Sequence, residues 1–128
     1  MVMSISNRSI VERFLNEFNK RAYNSYTKYL ADDIKWNIVG MPPINGKQNF
    51  LEALEVMEVW QSSLKGINSL AGGETHVIAE GDFVVIENQD FSLNRDSSHN
   101  PAHCDIYRIN NGKIKEVITY MVDTSINE

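Results

Sequence analysis

The chain has 128 residues, 42% of them hydrophobic and 23% charged, with a formal net charge of −5 from 12 basic and 17 acidic side chains. That length fits one domain, residues 1–128, able to bury roughly two thirds of the surface its unfolded chain exposes, and the composition is globular rather than disordered. The basic residues are scattered (Arg8, Lys20, Lys35, Lys65, Lys113) and form no stripe, which argues against nucleic acid or an anionic membrane surface as a partner.

Ile10, Val11, Phe14, Leu15, Phe18 and Ala22 recur at three- and four-residue steps and predict a first helix with one apolar face. Ser9 and Glu12 have the spacing of a capping box, and Ser6 or Asn7 offers an earlier start. Tyr26, Tyr29 and Leu30 predict a second, short helix that ends at Asp32-Asp33. Ile34, Trp36 and Ile38 then alternate with Lys35 and Asn37, the period of a half-buried strand. Gly40-Met41-Pro42-Pro43 is a loop, because two prolines remove two backbone donors. Asn45 is a candidate cap for a third helix, whose buried face is Phe50, Leu51, Leu54, Met57 and Trp60. Residues 61 to about 73, with three glycines, are ambiguous.

The second half reads as strands: Thr75–Ala79, a turn at Glu80-Gly81-Asp82, a long strand Phe83–Leu93, a polar loop over 94–100, a strand Ala102–Ile109, a tight turn at Asn110-Asn111-Gly112, and a last strand Ile114–Val122. Helices gathered on one face of an antiparallel sheet make an α+β layer fold. No apolar run reaches the roughly eighteen residues of a membrane span. The segment MVMSISNRS lacks the apolar core of a secretory signal, and Cys104 is the one cysteine, so a cytoplasmic, reducing location is expected.

Among the polar residues, Asp105 is the leading candidate for chemistry. Alternation in His103-Cys104-Asp105-Ile106-Tyr107 puts His103, Asp105 and Tyr107 on one face and Cys104 on the other. A carboxyl on an apolar wall loses hydration and holds its proton to higher pH, which suits a general acid or base. A His–Asp pair on one face is also suited to passing a proton. The competing expectations are an Asp105 satisfied by neighbouring donors and a His103 on the rim, just after Pro101. Three histidines with no ligand spacing, and no Gly-rich loop or nucleotide motif, leave no metal and no cofactor expected.

Four stretches together resemble the SnoaL-like and ketosteroid-isomerase-like proteins of the nuclear-transport-factor-2-like (NTF2-like) superfamily: Leu30-Ala31-Asp32-Asp33-Ile34-Lys35-Trp36; Gly46 opening the third helix; Val77–Val85; and Asp105–Ile109 followed by Gly112-Lys113-Ile114. The resemblance spans residues 8 to 123. It implies a curved antiparallel sheet packed against three N-terminal helices around a conical small-molecule cavity, and a homodimer formed through the convex sheet face. It also implies that Asp105 matches the oxyanion-hole acid of the isomerase-like pattern. The helix-one tyrosine of that pattern falls on Phe14, and its base falls on Asn37. In the limonene-epoxide-hydrolase pattern, the Arg-x-Asp pair falls on Asn88 and Asp90 and the second Asp on Thr119, so only Asp90 is retained. An exposed strand end is the competing expectation for Asp90.

Trp36 and Asn37 are neighbours on a strand and point to opposite faces. Alternation favours Trp36 inward and the isomerase-like pattern favours Asn37, so both stay candidates. The resulting site has Asp105 and His103 as acid–base groups. Trp36, Asn37, Asn88, Asp90, Tyr107, Thr119, Phe14, Phe18 and Met57 are its candidate substrate contacts. The expected function is acid–base chemistry on a small apolar or hydroxylated molecule, or binding and carriage of such a molecule without reaction.

Overall fold

A computed structural model describes residues 6–20, 22–62, 74–89 and 102–122. Helix α1 spans Asn7–Asn19, α2 spans Tyr23–Tyr26 and runs into a 3-10 turn at Thr27–Tyr29, and α3 spans Lys47–Ser62. The strands are β1 (Leu30–Ile38), β2 (Ile44–Asn45), β3 (Glu74–Glu80), β4 (Phe83–Gln89), β5 (Ala102–Asn110) and β6 (Lys113–Val122). They form one sheet in the order β2-β1-β6-β5-β4-β3. Every neighbouring pair is antiparallel except β1 and β6, which run parallel and join the helical first half to the meander of the second. No helix among the described residues is long and apolar enough to cross a membrane.

Local sequence explains where the elements begin. Ser6 caps α1, its Oγ accepting from the Ser9 backbone N–H at 3.1 Å, which selects the earlier of the two starts. Asn7 Nδ2 donates to the Gly81 carbonyl at 3.0 Å and ties the front of α1 to the β3–β4 turn. Asn111 and Gly112 form the two-residue turn between β5 and β6, with φ of 52° and 76°. Two positive φ values in succession match the right-handed twist of the flanking strands, and Asn-Gly is the pair that tolerates them.

The strand around Asp32-Asp33 departs from the sequence expectation. Instead of ending a helix, both aspartates lie inside β1, which already starts at Leu30. The pairing with β6 is irregular between Leu30 and Lys35, and both aspartates face solvent there. An irregular stretch lets two adjacent charged side chains stay wet while Leu30 and Ile34 on either side are buried.

The core lies between the inner sheet face and the helices. From α1 come Ile10, Val11 and Phe14, and from α3 Phe50 and Leu54. The sheet contributes Ile34, Trp36 and Ile38 of β1, Val84 and Ile86 of β4, Tyr107 and Ile109 of β5, and Ile114 and Val117 of β6. The period-two pattern fixes the face of each strand, since a one-residue slip would turn the whole apolar set outward. The opposite face carries Ile78, Phe83 and Tyr120, all exposed, together with the ion pairs His76–Glu87 and Arg108–Glu116.

Candidate functional site

Asp105 sits on the inner face of β5, in register with Ile86 of β4 on one side and Thr119 of β6 on the other. Its side chain is only 15% exposed. The Thr119 hydroxyl donates to Asp105 Oδ1 at 2.6 Å, and the Trp36 indole N–H donates to Thr119 Oγ1 at 2.8 Å. Three strands thus supply one hydrogen-bonded line, from β1 through β6 to β5. The other carboxylate oxygen, Oδ2, lies 3.4 Å from His103 Nε2, within ion-pair reach but beyond good hydrogen-bond distance.

Burial pushes the Asp105 carboxyl above the usual aspartate range, and the attraction of His103 and the hydrogen bond from Thr119 pull it back only in part. Tyr107, two residues on and fully within the core, is pushed well above the ordinary tyrosine range by burial and then by the nearby Asp105 charge. Its phenol therefore stays protonated at neutral pH. Cys104 points to the other face, and burial, Asp105 and Glu87 all raise its pKa, so it carries no activated thiolate.

The expected site residues fall into distinct groups. Asp105, His103, Tyr107, Thr119 and Trp36 share the inner face, on adjacent strands. Asn37 does not join them: it is exposed, alternating with buried Trp36 and Ile38, and it pairs with Ile118 on the outer face. The period of two leaves no room for Asn37 and Trp36 on the same side. Phe14 stacks on Phe18 at 6.2 Å and meets Tyr26 edge-on at 5.9 Å, and Phe18 meets Tyr26 at 5.4 Å. Phe14, 3% exposed, is first a packing residue. The side chains of Met57 and Asn88 and the whole of Asp90 lie outside the described residues.

Two neighbours escaped sequence reasoning. Ile86 lies opposite Asp105 and gives the carboxyl an apolar wall, and Met121 lies opposite His103 at the outer end of the pair. Both follow from register, which no single strand's pattern reveals. A surface depression of about 350 Å³, lined by residues such as Asp33, Lys47, Asn111 and Lys115, lies at the far end of β1 and β6. Its charges are already engaged, with Lys115 2.7 Å from Asp33 and Lys47 3.4 Å from Asp32.

A six-stranded mixed sheet with helices on its inner face is the architecture of the NTF2-like class of α+β proteins. The SnoaL-like domain family matches residues 11–117, and the chain belongs to that family. Solved structures agree on the fold. An NTF2-like protein of unknown function from Cytophaga hutchinsonii is 21% identical with a TM-score of 0.65, covering 91% of this chain and 100% of that one. A putative ketosteroid isomerase from Kribbella flavida is 13% identical with a TM-score of 0.65, covering 92% and 78%. An LEH-like epoxide hydrolase from M. tuberculosis is 21% identical with a TM-score of 0.62, covering 91% and 82%. Among curated proteins none matches the chain.

Proposed function

We propose that this protein takes a small apolar or hydroxylated organic molecule into a cavity between the inner sheet face and the helices, and that Asp105 moves a proton on it. The observation that carries this reading is a carboxyl 15% exposed, with one oxygen held at 2.6 Å by Thr119 and the other without a hydrogen-bond donor among the described residues. Burial raises the pKa of that group above the usual aspartate range, the direction that acid–base work near neutral pH requires. A proton taken from one substrate atom onto Asp105 and returned to another accomplishes isomerisation, cyclisation or dehydration without a cofactor. His103 sits where it can exchange that proton with solvent, its side chain 30% exposed. Tyr107, Asn88 and Asp90 are the groups proposed to orient the ligand directly, and Thr119 does so through Asp105.

The second reading is a carrier with the same cavity, in which Asp105 anchors a ligand hydroxyl or amine. Two placements favour it. Phe14 is part of the aromatic core and Asn37 faces outward, so neither supplies the tyrosine or the base of the isomerase-like pattern. The experiment is a thermal-shift screen over steroid-like, terpenoid and polyketide-like compounds, followed by product analysis for each binder. The acid–base reading expects turnover that Asp105→Asn abolishes while the protein stays folded. Binding with no product from any compound leaves the carrier. Turnover unchanged in Asp105→Asn overturns the assignment of Asp105.

A cytoplasmic homodimer is part of the same proposal. The exposed Ile78, Phe83 and Tyr120 on the outer sheet face support it, because three large apolar side chains on one sheet face favour a covered surface. Light scattering at micromolar concentration is expected to give twice the chain mass, and a monomer there contradicts it.

A further inference from the structure

We propose that Trp36 and Thr119 are positioning residues that confine the exchangeable proton of Asp105 to Oδ2, the oxygen on the His103 side. An indole N–H can only donate, so its 2.8 Å contact occupies a lone pair of Thr119 Oγ1. The hydroxyl has one proton, and Asp105 Oδ1 at 2.6 Å is its acceptor. That distance is in the range of a hydroxyl bonded to an ionised oxygen. Were the carboxyl proton on Oδ1, Thr119 would have to turn its own proton away. Thr119 is 2% exposed, with no other acceptor among its described contacts, so that proton would be a buried donor without a partner. The line from β1 to β5 therefore has a fixed polarity, and the carboxyl gains and loses its proton at Oδ2.

The groups around Asp105 agree with this assignment. On its own strand the titratable neighbours are His103 and Tyr107 inward and Cys104 outward. Strand β4 contributes Ile86, and β6 contributes Thr119. Helix α1, packed against β4 and β6, brings apolar Ile10, Val11 and Phe14, while its Glu17 accepts from the Tyr29 hydroxyl at 3.3 Å. His103 Nε2 at 3.4 Å leaves Oδ2 available to a ligand atom. A ligand then meets Asp105 from the side of His103 and Met121, the strand ends remote from the Asn111-Gly112 turn. The catalytic meaning of this polarity rests on the acid–base reading above, but the polarity itself does not.

The test is therefore made on the protein without ligand. The Trp36 indole proton resonance, assigned against Trp60→Phe, is followed by NMR across pH together with the Asp105 carboxyl carbon. The polarity requires the indole resonance to move with the same midpoint as the carboxyl, since its acceptor is the hydroxyl that Asp105 polarises. In Thr119→Val the indole should stop following, and the Asp105 midpoint should rise because a donor to the ionised form is gone. Thr119→Ser should restore both. An indole resonance indifferent to the Asp105 titration overturns the proposal, as does an unchanged midpoint in Thr119→Val. If Thr119→Val does not fold, the Trp60→Phe protein decides alone. Loss of turnover in Asp105→Asn with a flat indole would sink the polarity and leave the acid–base reading standing. A titrating indole with turnover unchanged in Asp105→Asn would do the reverse.

Discussion

Asp105 and Thr119 are direct partners across the β5–β6 pair, and the 2.6 Å bond between their side chains is the contact through which β1 reaches the buried carboxyl. The Trp36 indole completes the line at 2.8 Å. Two consecutive strands of the second half and one strand of the first are thereby committed to holding one oxygen of one acid. The arrangement satisfies two buried polar groups, the indole N–H and the threonine hydroxyl, that would otherwise cost stability in an apolar layer.

That burial has a pH signature. The folded carboxyl holds its proton to higher pH than the unfolded chain does, so the native state binds more protons between the two values. The stability linked to this group is fully present below the unfolded value of about 3.9 and is lost as pH rises through the folded value. Asparagine cannot ionise, yet it can still accept from Thr119. Asp105→Asn is expected to melt above the unaltered protein near neutral pH, with the difference closing as pH falls toward about 4. Thermal melts at the two pH values check both the sign and the window.

The inner face itself is tested at Phe50, which is 2% exposed with its ring centroid 5.0 Å from Trp36. Phe50→Ala removes a buried ring and leaves a cavity beside the indole, and should cost about 3–5 kcal/mol in urea unfolding. If the cost is below about 1 kcal/mol, in the range of an ordinary surface substitution, Phe50 is not packed as described.

The β5–β6 turn starts the pairing of the two strands, and a one-residue shift between Arg108 and Ile109 then brings Asp105 opposite Thr119. Gly112 has a φ of 76°, and a Cβ there would meet nothing within 4 Å. Gly112→Ala therefore introduces backbone strain without a clash. It should destabilise by about 1 kcal/mol or slightly more, measured by the same urea unfolding, with the fold unchanged by circular dichroism.

Much of this fold was legible in the sequence because it rests on periodicity. The three-and-four spacing of Ile10, Val11 and Phe14, the alternation through Ile34, Trp36 and Ile38, and the Asn-Gly turn each state their own geometry. The alternation in β5 was enough to put His103, Asp105 and Tyr107 together on the inner face. What could not be read was register. Thr119 reads as a candidate ligand contact, and nothing in its own strand says that it lies opposite Asp105 or accepts a hydrogen bond from the Trp36 indole. The parallel pairing of β1 with β6 was equally hidden, since it joins residues some eighty positions apart. Asp32-Asp33 misled for a local reason: two adjacent carboxylates look like a break, and only an irregular, solvent-facing stretch of β1 accommodates them within a strand. The isomerase-like pattern points to Asn37, and the alternation of β1 sends that residue outward.

Every chemical role assigned to this site depends on one carboxyl being dry enough to keep its proton above the ordinary range. The direct measurement is the titration midpoint of the Asp105 side-chain carbon by NMR in the ligand-free protein. A midpoint clearly above the ordinary aspartate value of about 3.9 is the predicted result. A midpoint at or below that value would mean a hydrated or strongly paired carboxylate, and would contradict an acid–base site at Asp105.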